Sequence, residues 1–352
     1  MHHFHFLAGG NTAQGFTSCF DSILPKEQQK RMYYIKGGPG VGKSTLMKRF
    51  ARAAEEQGLE VEYFHCSSDP DSLDGVSLPA LGVGMMDGTA PHVYDPVIPG
   101  ARDTLVSLGD FLDEKALIPH VREIEKVQKQ ISARFARCYR YLAASGQALK
   151  AAPLAVENVV KACRLAEEWV ANMPLRGGTG TVRKLFASAF TPKGQITVTD
   201  FVPLERRITI ECPFGAHATG LMQRITEGAV HRGLHVIQLL DPLLPQEISH
   251  VIIPAHGLAY CTGAQKSETA GERLAADTLF DLTGEPDHEQ SFDRNVCELL
   301  WQRATEQLTA AKRLHDELER FYVQNMDFDR WQKTADSIIE REWSEALRKP
   351  RS

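Results

Sequence analysis

The sequence lacks most of what would tie it to a membrane, an oxidising compartment or a polyanion. Its seven cysteines (Cys19, Cys66, Cys138, Cys163, Cys212, Cys261 and Cys297) are odd in number and scattered, with no CxxC pair. That spacing supports neither a disulfide framework nor a zinc site, and reduced thiols in a cytoplasmic setting are expected. No apolar run reaches the ~18–20 residues that a membrane helix needs. The opening MHHFHFLAGG has no basic segment ahead of a long apolar core, so it does not read as a secretory signal. Its alternating Phe4 and Phe6 read instead as an edge strand. Positive charge is not in excess either: 40 Lys and Arg against 45 Asp and Glu leave a formal charge of −5. No nucleic acid or anionic membrane is expected as a partner on that balance.

What is present is a chain of 352 residues, 43% hydrophobic and 24% charged, long enough for two domains with separate cores. Residues 31–36, RMYYIK, read as a buried strand that ends at glycines, and Lys43 to Gln57 as a helix with Leu46, Met47, Phe50 and Ala54 on one face. Gly58 stands where a left-handed helix cap is wanted. LEVEYFHC is a second strand, SSDPDSLDG a loop, and VSLPALGVGMMDG a strand region interrupted by proline. Strand, loop, helix and strand in this order predict parallel pairing. From about Asp103 the period changes. Val121, Ile124, Val127, Ile131, Phe135, Cys138 and Leu142 recur every three or four residues, as in a long amphipathic helix. PLRGGTGT then reads as a linker.

After that linker the pattern starts again. Sliding the chain by 175 residues matches Ile35 to Ile210, Gly40 to Gly215, Leu46 to Leu221, Arg49 to Arg224, Gly58 to Gly233 and Pro79 to Pro254. Upstream, FLAGGNTAQG lines up with LFASAFTPKG, and Val296, Leu300, Ala304, Leu308, Ala311, Leu314 and Leu318 mark a second long helix. A single offset carrying a helix cap, a strand and a proline together implies a tandem repeat of an α/β core and a helical arm.

The first copy carries a motif with a mechanism. Gly37, Gly38, Pro39, Gly40, Val41, Gly42, Lys43 and Ser44 satisfy G-x-x-x-x-G-K-[ST], between a strand and a helix. The glycines allow positive φ and let successive N–H groups approach a phosphate. The helix start near Lys43 turns its dipole toward the same anion. Lys43 is placed for the β- and γ-phosphates, the Ser44 hydroxyl for Mg²⁺, and Thr45 for the α-phosphate side. Asp87, closing the apolar run VGMMDG, reads as the second partner of the metal, so Lys43 and Asp87 are the expected catalytic pair. Asp69, Asp71 and Asp74 on the preceding loop compete with Asp87, although Asp71 and Asp74 read better as turn residues. His65 and His92 fit structural as well as functional roles. Arg134, Arg137 and Arg140 fall on the polar face of a helix, where a solvated stripe is the simpler reading. No N-K-x-D stretch is present to read guanine, which favours ATP.

The second copy has lost the chemistry. Ala218 stands at the position of Lys43, His217 at Gly42, Pro213 at Gly38 and Thr262 at Asp87, while Thr219 keeps a hydroxyl in place of Ser44. Pro213 deletes an N–H and His217 adds a Cβ where the first loop has glycine.

The stretches FLAGGNTAQGF, IKGGPGVGKSTLMKRF, YFHCSSDPDSLDGV, GVGMMDGTAPHV and AKRLHDELERFYVQNMDF resemble bacterial tandem P-loop ATPase-like proteins of about this length. That resemblance implies two P-loop NTPase-fold domains with ATP at the intact loop, and CPFGAHATG departs from the fuller second loop of such proteins. The expected architecture is therefore α/β: two tandem P-loop NTPase-like cores, each a parallel sheet followed by a long helical arm. The boundaries are 1–103 for the first core, 104–178 for its arm, 179–275 for the degenerate core and 276–352 for the C-terminal arm. The expected function is Mg²⁺-dependent ATP binding, as an ATPase or as a switch that moves the arms against a protein partner. A small-molecule or nucleotide kinase and a non-catalytic nucleotide-binding scaffold are the alternatives.

Overall fold

The computed structural model describes residues 3–90, 92–151, 155–198, 204, 206–263, 271–282 and 288–348. In chain order, strands β1 (Phe4–Leu7), β2 (Gly9–Thr12), β3 (Gly15–Ser18) and β4 (Arg31–Lys36) lead into helix α1 (Lys43–Glu56). Strands β5 (Glu62–His65), β6 (Leu73–Leu78), β7 (Val83–Asp87) and β8 (Asp103–Ser107) precede the short α2 (Glu114–Leu117) and the long α3 (Val121–Ala151). Next come β9 (Ala155–Glu157), α4 (Val159–Ala171), β10 (Val182–Phe186), β11 (Ser188–Thr191), β12 (Gly194–Thr197), β13 (Arg206–Glu211) and α5 (Thr219–His231). Then follow β14 (Val236–Leu240), β15 (Ile248–Ile253), β16 (Leu258–Gly263), β17 (Glu272–Leu274) and α6 (Ala276–Leu279). Strand β18 (Phe280–Leu282) and helices α7 (His288–Val323) and α8 (Phe328–Arg348) complete the order.

The chain is an α/β protein in two compact units. The first comprises residues 1–8, 18–135 and 307–352, the second residues 9–17 and 136–306. These units cut across the linear order of cores and arms expected from sequence. Residues 307–352, from the far end of the chain, belong with the first core. Strand β8 also carries the first sheet past the expected limit at 103, because it pairs in parallel with β4, Met32 opposite Asp103. Its Asp103 is 1% exposed and accepts hydrogen bonds from the N–H groups of Val97 and Ile98, which pins the strand's start.

Within the first unit the strand order is β8-β4-β7-β6-β5-β1, and within the second β17-β13-β16-β15-β14-β10. Matching pairs have matching sense. β4 is parallel to β8 and β7, and β13 to β17 and β16, while β6 and β15 run antiparallel to both neighbours. The expectation of a parallel sheet is thus corrected to a mixed one. The cause is Pro79. Lacking an N–H, it cannot sit inside a ladder, and it lies in the turn where Leu81 N–H closes on Leu78 O and Gly82 takes φ 68°. The apolar run that reads as one interrupted strand is therefore the hairpin β6–β7, and Pro254 and Gly257 (φ 62°) fold β15–β16 in the same way.

α1 and α5 bury the faces that periodicity predicts, whereas of the apolar stripe expected on α3 only Cys138 and Leu142 are buried and Val121 is exposed. α1 packs Leu46, Met47, Phe50, Ala51 and Ala54, and α5 packs Leu221, Met222, Ile225, Thr226 and Ala229. Gly58 (φ 74°) and Gly233 (φ 77°) end them in the left-handed conformation. Each is covered by a further helix of its own unit. Met326, Trp331, Ala335 and Ile338, all in or just before α8, join the core around α1; Ala162 and Ala166 of α4 join the core around α5. Phe50 stacks on Trp343 at 5.7 Å between ring centres. Truncating such a buried ring to alanine costs about 3–5 kcal/mol. Among the described residues no helix is long and apolar enough to cross a membrane.

Candidate functional site

The loop of residues 37–42 leaves β4 at the carboxyl edge of the first sheet and enters α1. Gly40 and Gly42 take φ 73° and 87°, the left-handed values that only glycine adopts cheaply. Gly38 needs its missing side chain for a different reason. A Cβ there would lie 2.8 Å from the Tyr322 ring; one at Gly40 would meet Val323 at 2.6 Å, and one at Gly42 the Trp331 indole nitrogen at 2.9 Å. The loop is thus clamped from outside by the end of α7 and the start of α8. Val41 is 1% exposed and anchors the loop in the core, and Pro39 sits at its half-buried crest. From the inner side Thr89 Oγ1 donates to Gly37 O at 3.2 Å.

Lys43 begins the helix. Its Nζ donates to Gly37 O and Gly38 O, both at 2.9 Å, and lies 3.6 Å from Asp87 Oδ2. Gly42, the N-cap of α1, has no side chain to offer, and among the described residues no other side chain caps the helix. Ser44 Oγ accepts the Leu73 N–H at 3.0 Å, which ties the start of β6 to the start of α1. Thr45 is exposed beside it. Asp87 closes β7 and accepts the Thr89 N–H at 2.8 Å. The structure therefore brings Lys43, Ser44 and Asp87 to one sheet edge, as the sequence leads one to expect.

Asp74 differs from its sequence reading as a turn residue. It lies within β6 and is 4% exposed. Burial, and then the charge of Asp87, push its carboxyl up from the ordinary 3.8 to about 7. Oδ2 has no hydrogen-bond partner, while the side chain meets the Cys66 thiol, itself raised by burial. SSDPDSLDG reads as one polar loop, and only the pairing of Gly75 with Met86 shows that its end belongs to a strand. Asp71 is exposed, as expected. Asp69 accepts from Ser72 Oγ at 2.9 Å and faces Lys312 at 3.7 Å.

Both histidines make contacts within the first unit. His65 bonds to His5 at 2.8 Å and to Pro70 O at 3.1 Å, and His92 stacks on Phe20 with ring centres 4.3 Å apart. Arg134 donates to Gln307 at 3.2 Å and Arg137 to the Tyr141 hydroxyl at 3.2 Å, both from exposed positions on α3.

At the matching place in the second unit the backbone frame is kept, while Ala218 and Thr262 replace Lys43 and Asp87. Thr219 Oγ1 accepts the Ile248 N–H at 3.0 Å, the counterpart of Ser44 and Leu73, and Gly215 repeats the positive φ of Gly40 at 79°. No residue other than glycine has positive φ among the described residues. His217 therefore does not copy Gly42, and α5 starts one residue later, with Ala218 as N-cap. Glu157 fills the helix end. Its carboxylate accepts the N–H of Gly220 at 2.9 Å and of Leu221 at 2.5 Å. Sequence reasoning missed Glu157, which sits 63 residues before Gly220 and belongs to no motif.

The donor set at the first loop, a hydroxyl and carboxylates at one sheet edge, suits a hard divalent cation with oxygen ligands. The unpartnered buried oxygen of Asp74 is a group that such an ion, or a proton, would satisfy. Among known families, a model described as Nephrocystin 3, N-terminal, matches residues 12–77, a span that contains the glycine-rich loop and α1. No curated protein and no solved structure matches the chain.

Proposed function

We propose that this chain binds ATP with Mg²⁺ at residues 37–45 and acts as an ATPase or ATP-driven switch, with the second core a degenerate copy that lacks phosphate chemistry. One observation carries the reading: an uncapped helix start, left-handed glycines and a lysine turned into the loop occur together at the carboxyl edge of a sheet. Such an arrangement is an anion cradle. Lys43 is held by two carbonyls that a phosphate would replace as its partners. The helix start presents N–H groups and the positive end of its dipole to the same anion. Asp87 and the Ser44 hydroxyl would hold Mg²⁺, which supplies charge neutralisation on the terminal phosphates. Asp87 and Thr89 also hold the loop in shape through Gly37. The match over residues 12–77, centred on this segment, supports the reading without naming a substrate.

The second core lacks the lysine and carries its own carboxylate on the helix end, so a nucleotide phosphate would meet Glu157 there. Calorimetric titration with Mg·ATP tests both halves of the proposal. One site per chain is expected, weakened by Lys43→Ala. No uptake by the wild-type chain would overturn ATP binding, and two sites would overturn a silent second core.

A further inference from the structure

Asp74 is tied to the candidate site by the main chain. It follows Leu73, whose N–H is held by Ser44 Oγ at 3.0 Å. The antiparallel register that sets Gly75 opposite Met86 brings Asp74 alongside Asp87. Its side chain is buried, and Oδ2 has no donor. A buried carboxylate oxygen left unpaired is costly and calls for a partner that completes it. Lys43 is not that partner, since its Nζ is engaged by Gly37 O, Gly38 O and Asp87. Ser44 Oγ accepts one hydrogen bond from Leu73, which leaves it a second lone pair.

The second unit works as an internal control. Its contact between Ile248 N–H and Thr219 Oγ1 reproduces that between Leu73 and Ser44 at the same 3.0 Å, so the local frame makes the same structural demands. Yet the residue after Ile248 is Ser249, whose hydroxyl donates to Leu239 O at 2.9 Å. Thr262 stands for Asp87 and Ala218 for Lys43. A carboxylate needed only to hold the strand would be wanted in both units. Asp74 instead disappears together with the lysine and the other carboxylate.

We propose that Asp74 is a ligand of the divalent cation that accompanies the nucleotide phosphates, acting with Asp87 and the Ser44 hydroxyl. Three oxygen groups then converge on one ion, a donor set typical of a hard cation bound beside phosphates. The inference rests on the ATP-binding reading above.

The test uses Mn²⁺ as the metal probe on the full chain. Its affinity in the ATP complex is read by electron paramagnetic resonance, and ATP affinity in EDTA by calorimetry. Asp74→Asn keeps the shape of the side chain, and Asp74→Ser installs the residue of the second unit; circular dichroism checks the folding of both. The expected result is a Mn²⁺ affinity lowered about tenfold or more in the ATP complex, with metal-free ATP binding equal to or tighter than wild type. Mn²⁺ affinity within twofold of wild type would overturn the inference alone. So would a loss of metal-free ATP binding as large as the loss of metal affinity, since Asp74 would then shape the loop. Failure of both variants to fold would assign Asp74 to the core and overturn it as well. Absence of ATP uptake by the wild-type chain, with or without metal, would remove the ATP reading and this inference with it.

Discussion

The helix starts of α1 and α5 are built on one plan and filled in different ways. Asp327 N–H bonds to Phe111 O just before α8, and Asn158 N–H bonds to Leu279 O just before α4. The next residue back is Met326 in the first unit and Glu157 in the second, each opposite its strand partner, Leu112 or Phe280. The apolar methionine joins the core, while the glutamate reaches the N–H groups of α5. Arg49 repeats as Arg224, the first donating to Gln332 of α8 and the second to Cys163 of α4. A helix start is an anion site whose occupant has to come from somewhere. The second unit supplies a carboxylate of its own, whereas the first supplies a lysine and no cap, and so suits an anion from outside.

The largest test of that contrast is Lys43→Ala, which should weaken ATP on the order of 10- to 100-fold, the worth of a charge-assisted hydrogen bond. The mirror change Ala218→Lys should create no second site, because Glu157 still holds the helix end; calorimetric stoichiometry reads both. Gly42→Ala forces φ 87° on a residue with a Cβ and pushes that Cβ against Trp331, so urea unfolding should show a loss of about 1–3 kcal/mol. His217→Gly, at a position that does not use that conformation, should stay within about 1 kcal/mol of wild type.

Exchanging the occupants is a finer probe. Glu157→Met should destabilise the chain by about 0.5–2 kcal/mol through loss of a helix cap. Met326→Glu should lower ATP affinity several-fold by placing a carboxylate near the α1 start. Asp336→Ala removes the exposed partner of Arg49 at 2.5 Å and should cost no more than about 1 kcal/mol in a thermal melt.

The smallest effect concerns pH. Burial, then the charge of His65, lowers the pKa of His5 from 6.5 to about 4, whereas the second unit has Lys184 at the matching place in β10. Between those values the unfolded chain binds the extra proton, so this contribution is complete above pH 6.5 and is lost as pH falls toward 4. His5→Phe should flatten the dependence of melting temperature on pH in that window, and an unchanged slope would count against it.

Much of the first site was legible because it is local. The glycines, Lys43, Ser44 and the buried face of α1 lie within one strand–loop–helix, and Asp87 ends the next apolar run. The offset of 175 residues foretold the shared frame of the two units, down to Thr219 and Gly215. Asp74 was not legible: it closes a stretch rich in Ser and Asp, and its burial comes from pairing across the β6–β7 hairpin. The mixed sheet is hidden in the sequence for the same reason, since a proline in an apolar run looks like an interruption until the turn around it closes.

The sequence by itself determined the α/β alternation, the repeated pattern, the glycine-rich loop and the capped amphipathic helices. All of these follow from residue periodicity and backbone freedom over a few residues. The tertiary structure alone decided that α8, not α4, covers α1, that Glu157 caps α5, and that Asp74 is buried beside Asp87. Those outcomes depend on which distant surfaces pack together, and a short stretch of sequence carries no record of that choice.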